Sequence, residues 1–182
     1  MTALKPSAET RVELGFPATL DLLGDGQQIE IRPLRPSDLP ALMAALARVS
    51  DESMRRRFFG LRRVFSPAEV AFFTSVDFAN HVALVAVADN DGNPEIAGGA
   101  RYVVARPRVA ELAFCVVDDW QHQGIGTALM SQLIAIARRA GLRKLIAEVL
   151  PENQSMLRLC QSAGPHMTTR REAGVVHVSL DL

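Results

Sequence analysis

The chain has 182 residues, 48% of them hydrophobic and 22% charged, which fits one globular domain with its own core and excludes a disordered chain. Its Lys and Arg residues number 20, balancing 20 Asp and Glu, so no global field recruits nucleic acid or an anionic membrane. Two cysteines, Cys115 and Cys160, are too few for a disulfide scaffold and lack metal-ligand spacing. With no signal-peptide pattern and no apolar run long enough to span a bilayer, a reduced, cytoplasmic protein is expected.

Residues 1–16 are mixed in pattern and read as a loose arm. Segments 19–23 and 28–34 flank Gly24-Asp25-Gly26, a turn signal that predicts a hairpin. The arm and the first hairpin strand (1–27) are therefore set apart from a domain over 28–182. Ser37 and Asp38 stand where a helix N-cap belongs, with Leu39, Leu42, Met43, Leu46 and Ala47 following at helical spacing. A second helix is expected over 51–59, and a third from Ser66-Pro67, with Ser capping and Pro in the first turn. Residues 82–88 form a continuous apolar run, a buried strand that turns at 89–93 into another over 96–104. Pro107-Arg108 then turns the chain into a strand over 110–117 that carries Glu111.

From Gly124 a helix presents Leu129, Leu133, Ile136 and Ala137 on one face and ends at Gly141. The strand after it, 142–149, is parallel to the strand before it by the crossover rule. A helix over 152–163 and two strands around Gly174 close the chain. Early hairpins followed by one strand–helix–strand unit predict an α/β fold with a mixed, mostly antiparallel sheet containing one parallel step, not a doubly wound sheet.

The junction at Gln121-His122-Gln123-Gly124-Ile125-Gly126-Thr127-Ala128 carries the chemistry. A strand that ends in a glycine-rich turn at a helix N-terminus offers unpartnered backbone N–H groups and a favourable dipole to an anion. Glycine lets a phosphate approach the main chain closely. The Lys-Ser/Thr of a P-loop is missing after Gly126. The dinucleotide fingerprint is partial, because Leu129 stands where Gly or Ala belongs, although Glu148 could serve as its ribose-binding acid. A helix start without a ligand would retain two poor helix formers at about 1 kcal/mol each.

This turn resembles the Gln/Arg-x-x-Gly-x-Gly/Ala signature of the GNAT acetyltransferase superfamily, with Gln121, Gly124 and Gly126 at its defining positions. The resemblance extends from about Gln28 to the C-terminus. The segments 31–38, 53–59 and 147–153, the last running on through 156–159, are similar to the acetyltransferase domain of bacterial protein lysine acetyltransferases of the Pat type. It implies the GNAT fold, whose parallel step splays to hold acyl-CoA. Acetyl-CoA is then the cosubstrate, with its pyrophosphate on Gln121, His122, Gln123, Gly124, Ile125, Gly126, Thr127 and Ala128. Main-chain groups of Phe114 and Val116 would take the pantetheine arm and polarise the thioester carbonyl, and Asn153 would contact the CoA arm. Asn153 also suits a helix N-cap, a role compatible with the first.

Transfer to an amine needs a base, because a free lysine is almost wholly protonated at neutral pH. Glu111 interrupts an apolar strand, where desolvation would raise a carboxylate's pKa, and it matches the acidic residue proposed as base in Pat-type domains. The competing reading is a solvent-facing Glu, or one paired with Arg101 on a neighbouring strand. Many family members carry a Tyr seven residues after the Asn to protonate the thiolate; Cys160 stands there, which leaves the general acid unassigned. Histidines 81, 122, 166 and 177 share no spacing, so no metal is expected; His122 reads as a solvated loop residue and Trp120 as a packing residue. The arginines at 55–57 and 62–63 fall in the segment that would cover the acceptor side and could meet an acidic protein surface or the 3′-phosphate of CoA.

The resemblance thus implies direct acetyl transfer in a ternary complex, with a protein lysine favoured as acceptor, for example on an adenylate-forming enzyme. A small amine, or a non-catalytic role as a CoA-binding sensor or interaction module, remains open, as does monomer or homodimer.

Overall fold

The computed structural model describes residues 18–22, 27–61, 64–90, 92–164 and 166–182. The proposed arm (1–16) and the hairpin turn at 24–26 lie outside them. One eight-stranded sheet has the order β1-β2-β3-β4-β5-β6-β8-β7. Its strands are β1 (Thr19–Leu22), β2 (Gln28–Pro33), β3 (His81–Asn90), β4 (Asn93–Arg106), β5 (Val109–Val116), β6 (Lys144–Val149), β7 (Met167–Glu172) and β8 (Val175–Asp181). All neighbours are antiparallel except β5 and β6, the mixed sheet with a single parallel step that the chain order implied.

Among the described residues five α-helices accompany it: α1 (Leu39–Ala47), α2 (Asp51–Phe58), α3 (Pro67–Thr74), α4 (Ile125–Arg139) and α5 (Gln154–Ser162). Helix α4 packs on β3, β4 and β5 and buries Ile125, Leu129, Met130, Leu133, Ile136 and Ala137, each large aliphatic side chain stabilising the fold by about 1.5–3 kcal/mol. Helices α1 and α2 pack on β4 and β5. No helix among the described residues is long and apolar enough to cross a membrane.

The start of α3 follows local chemistry closely. Ser66 accepts from the Glu69 N–H, and the Glu69 carboxylate accepts from the Ser66 N–H, a reciprocal capping box with Pro67 in the first turn. The start of α1 departs from expectation. Asp38 precedes the helix but its side chain makes no bond to the start of α1 and caps the short 3-10 turn Pro36–Asp38 before it. Its carboxylate instead receives both Arg32 Nη atoms at 2.7 and 2.8 Å and the Arg35 N–H at 2.8 Å. A bidentate guanidinium is a strong donor set, and together with the Arg35 N–H it holds the carboxylate away from the start of α1.

Candidate active site

Strands β5 and β6 are paired only where Val109, Ala110 and Glu111 meet Lys144, Leu145 and Ile146. Beyond Glu111, β5 runs on to Val116 and β6 to Val149 without pairing to each other, and the opening between them is a cleft of about 670 Å³. Its walls come from β5, the turn after it, the first residues of α4, and faces of α2 and α5. A cleft of this size accommodates a small-molecule ligand.

The glycine turn forms one end. Gly124 has φ +99°, a left-handed conformation that glycine adopts freely and that costs an L-residue about 1–2 kcal/mol. From there the chain enters α4, whose first helical bond is Ala128 N–H to the Gly124 carbonyl oxygen at 3.0 Å. The N–H groups of Ile125, Gly126 and Thr127 precede that bond and have no helical acceptor; these residues, with Gly124, line the cleft. Together with the helix dipole they form an anion site.

Two residues of the expected phosphate segment are not brought to the cleft. Ala128 spends its N–H on the helix, and Gln123 donates its side-chain amide to the Asp119 carbonyl oxygen at 2.9 Å. Gln121 borders the cleft, yet its Nε2 donates to Ser53 Oγ and the Val116 carbonyl oxygen, both at 3.1 Å. Its side chain thus fastens the turn to α2 and β5. His122 is exposed at the mouth, also left-handed at φ 62°. Phe114, Val116 and Asn153 line the cleft. Asn153 caps α5, with Oδ1 accepting from the Met156 N–H at 3.1 Å.

Glu111 occupies the last paired position, where the two strands part. Its flanking Ala110 and Leu112 are buried on the opposite face of the sheet, while Glu111 itself is exposed to the cleft. Strand alternation points its apolar neighbours away, so they do not enclose it. The pairing with Arg101 does not form either: Arg101 directs Nη1 to His81 Nε2 at 3.2 Å and Nη2 to the Phe73 carbonyl oxygen at 3.5 Å. Glu148, on β6, lies on the cleft wall with His177 Nδ1 at 3.6 Å.

The two thiols differ in place. Cys160 is fully buried in the core, and burial pushes its thiol up to about 11, so it is no acid for a leaving group in the cleft. Cys115 lines the cleft; burial raises it to about 11 as well, against the opposing pull of Arg57. No group of three or more His, Cys, Asp and Glu side chains converges among the described residues.

The sequence model described as "Acetyltransferase (GNAT) family" matches residues 46–164. The chain belongs to the GNAT acetyltransferase family. An acetyltransferase of Pseudomonas aeruginosa is 32% identical over 146 residues, covering 80% of this chain and 78% of that protein. The acetyltransferase Pat of Mycolicibacterium smegmatis is 33% identical over 159 residues, or 86% of this chain; the chain spans about half of that relative, 46% of its length. The crystal structure of the GNAT domain of S. lividans PAT shares 35% identity with a TM-score of 0.82, covering 91% of this chain and 97% of that one. These matches bear out the GNAT fold and the likeness to Pat-type domains.

One part of this GNAT site was not legible in the sequence. Asp118, just past β5, accepts from the Ser50 N–H at 2.8 Å, from Ser50 Oγ at 2.6 Å and from Ser53 Oγ at 3.0 Å. It ties the N-terminus of α2 to the glycine turn, 68 residues away in sequence. Burial alone would raise the Asp118 carboxyl, but the hydrogen bonds from Ser50 and Ser53 outweigh it and hold it below the usual carboxylate range. Asp118→Ala should cost about 1–3 kcal/mol, because it leaves three donors without their acceptor. Since the native pKa is depressed, the latch contributes fully above the unfolded value near 4 and is lost as pH falls through the native one. Denaturant unfolding at pH 7 and at about pH 3 checks both statements: the wild-type advantage over the variant should shrink at the lower pH.

Proposed function

We propose that this protein moves an acetyl group from acetyl-CoA to an amine, with a protein lysine as the favoured acceptor, in the cytoplasm and as a monomer or homodimer. The single observation that carries this reading is the geometry of the cleft. An anion site at the start of α4 and a carboxylate at the fork of β5 and β6 stand at separate places along one continuous opening. In this reading the pyrophosphate sits on the N–H groups of Ile125, Gly126 and Thr127, and the acyl end runs along β5 towards Glu111. Phe114 and Val116 flank it with main-chain groups, of which the Val116 carbonyl already accepts from Gln121. Asn153 faces the CoA arm from α5.

Glu111 removes the proton from the amine, directly or through one water, and the neutral amine attacks the thioester carbonyl. The tetrahedral oxyanion is stabilised by N–H donors, gives up its second nitrogen proton to water, and collapses to amide and CoA thiolate. No covalent bond to the enzyme is formed. With Cys160 in the core, water is the source of the proton for the thiolate.

The likeness to Pat supports a lysine on a protein, such as an adenylate-forming enzyme. The test is release of free thiol from acetyl-CoA with lysine peptides, folded protein acceptors and small amines as competing acceptors. A protein or peptide lysine should give the highest kcat/KM. Preference for a small amine would replace this acceptor class, and absence of turnover with intact CoA binding would make the protein a CoA sensor.

The arginines of α2 should act on the acceptor. Arg55 donates to Glu152 at 2.6 Å, Arg56 pairs with Glu52, and Arg56 and Arg57 line the cleft; Arg62 and Arg63 lie outside the described residues. Arg56→Ala should raise the apparent KM for a protein acceptor about three- to tenfold and leave that for acetyl-CoA nearly unchanged, an effect that fades with salt. A change confined to the KM of acetyl-CoA would instead put Arg56 at the CoA phosphates.

A further inference from the structure

Two arginines on the Glu111 face of the sheet have no salt-bridge partner among the described residues. Arg101 lies opposite Ala113 in the β4–β5 register. Its guanidinium packs 5.6 and 5.3 Å from the ring centroids of Phe72 and Phe73, and its hydrogen-bond partners among the described residues are His81 Nε2 and the Phe73 carbonyl oxygen. His81 supplies no charge to it. The ring's Nδ1 is 3.0 Å from the Ser75 carbonyl oxygen, which only an N–H can satisfy, so Nε2 is the acceptor of a neutral imidazole. Arg57, in the last turn of α2, lies 4.7 Å over the Phe58 ring. Neither arginine makes an ion pair among the described residues. Burial, with the charge of Arg57 adding to it, lowers Arg101 to about 10.

Both line an inner pocket of about 60 Å³ beneath α1 and α2. Arg57, Phe58, Ala113, Phe114 and Cys115 belong to its wall and to that of the main cleft, so the pocket is a side chamber at the acyl end. Two desolvated like charges are retained only at a cost, which a shared anion would remove. The planar guanidinium suits a carboxylate held by two donors. A chamber of this volume admits a carboxylate-sized group and not a nucleotide. Glu111 is on the same face and acts on Arg57 through its charge, but it forms no ion pair with either arginine and leaves the chamber to another anion.

We propose that Arg57 and Arg101 form a carboxylate-binding subsite in this side chamber, separate from the phosphate turn at α4. It rests on the acyltransfer reading only for the origin of the carboxylate. One source is the far end of a dicarboxylic acyl chain on CoA; the other is the acceptor's own carboxylate.

The test compares wild type with Arg57→Gln, Arg101→Gln and Arg101→Lys, using three probes. Succinate alone, a probe that needs no CoA, should raise the melting temperature of wild type and not of Arg57→Gln. Succinyl-CoA is set against acetyl-CoA with one lysine peptide, and Nα-acetyl-lysine against its amide with acetyl-CoA. The charged member of one pair should be preferred about tenfold in kcat/KM, and the pair that responds names the source. That preference should vanish in Arg57→Gln and be partly kept in Arg101→Lys. Arg57 lies on the helix face beside the cleft, so its variant keeps the test valid where Arg101→Gln fails to fold. The proposal is overturned if both pairs are equal within about twofold and succinate has no effect, or if the preference persists without Arg57. The succinate result stands even where no acyl transfer is detected, which separates failure of the subsite from failure of the acetyltransferase reading.

Discussion

Replacing Glu111 by Gln should lower kcat by about 10²–10⁴-fold while acetyl-CoA still binds, the usual contribution of a general base. The change is nearly isosteric, and the side chain is exposed at the fork of β5 and β6, so folding should be unaffected. The limb of the wild-type profile of kcat/KM against pH that reports the enzyme's base should be missing from the variant. Melting shifts induced by acetyl-CoA should be equal in both proteins. Activity within about threefold of wild type would remove Glu111 from the chemistry. Glu148 would be the next residue to substitute, since it faces the same cleft from β6.

How Glu111 was legible, and how it was not, follows from the range of the interactions involved. Alternation along β5 places Glu111 opposite to Ala110 and Leu112 whatever the tertiary fold, so its exclusion from the core could be read locally. That it stands at the last paired residue cannot, because the end of pairing with β6 depends on where a segment more than thirty positions later runs. The helix start at the glycine turn was readable, being local: the N–H groups ahead of the first helical bond belong to a few adjacent residues, although Gln123 and Ala128 of the same segment fall outside the cleft. The Ser66 cap with Pro67 in the first turn was readable for the same reason, and the structure adds the Glu69 half of the capping box.

Asp38 and Asp118 show the converse. Local pattern assigned Asp38 to a helix cap, and Arg32 took its carboxylate instead. Nothing near Asp118 announces that Ser50 and Ser53 will surround it. Gln121 matched its signature position, yet its amide is spent on holding loop to helix. The signature there marks the architecture of the turn at least as much as a contact with ligand. The arginine pair was invisible for a related reason: sequence displayed Arg57 as one of three in a solvated-looking run, and only the fold brings it to the same pocket as Arg101.

The glycine turn gives the second large effect. At a free concentration of about 100 times its Kd, acetyl-CoA should stabilise the protein by about 2.7 kcal/mol, or roughly 5–11 °C in melting temperature for a domain of this size. Gly126→Asp should abolish that shift. A carboxylate there would stand among the N–H groups of Ile125, Gly126 and Thr127, opposing the pyrophosphate by charge and by volume. The fold should tolerate it, because a Cβ at Gly126 meets Leu159 Cδ2 at 3.4 Å, an ordinary contact with a flexible side chain. Gly124 is the poorer probe: at φ +99° any side chain strains the backbone, and lost binding could not be told from a distorted turn. Gly126→Ala supplies the control, adding the same Cβ without charge at a position where the family's signature admits alanine. It should keep most of the shift. If Gly126→Asp melts with the same acetyl-CoA response as wild type, the pyrophosphate does not sit on the N-terminus of α4, and the glycine turn is only the means by which β5 hands the chain to its helix.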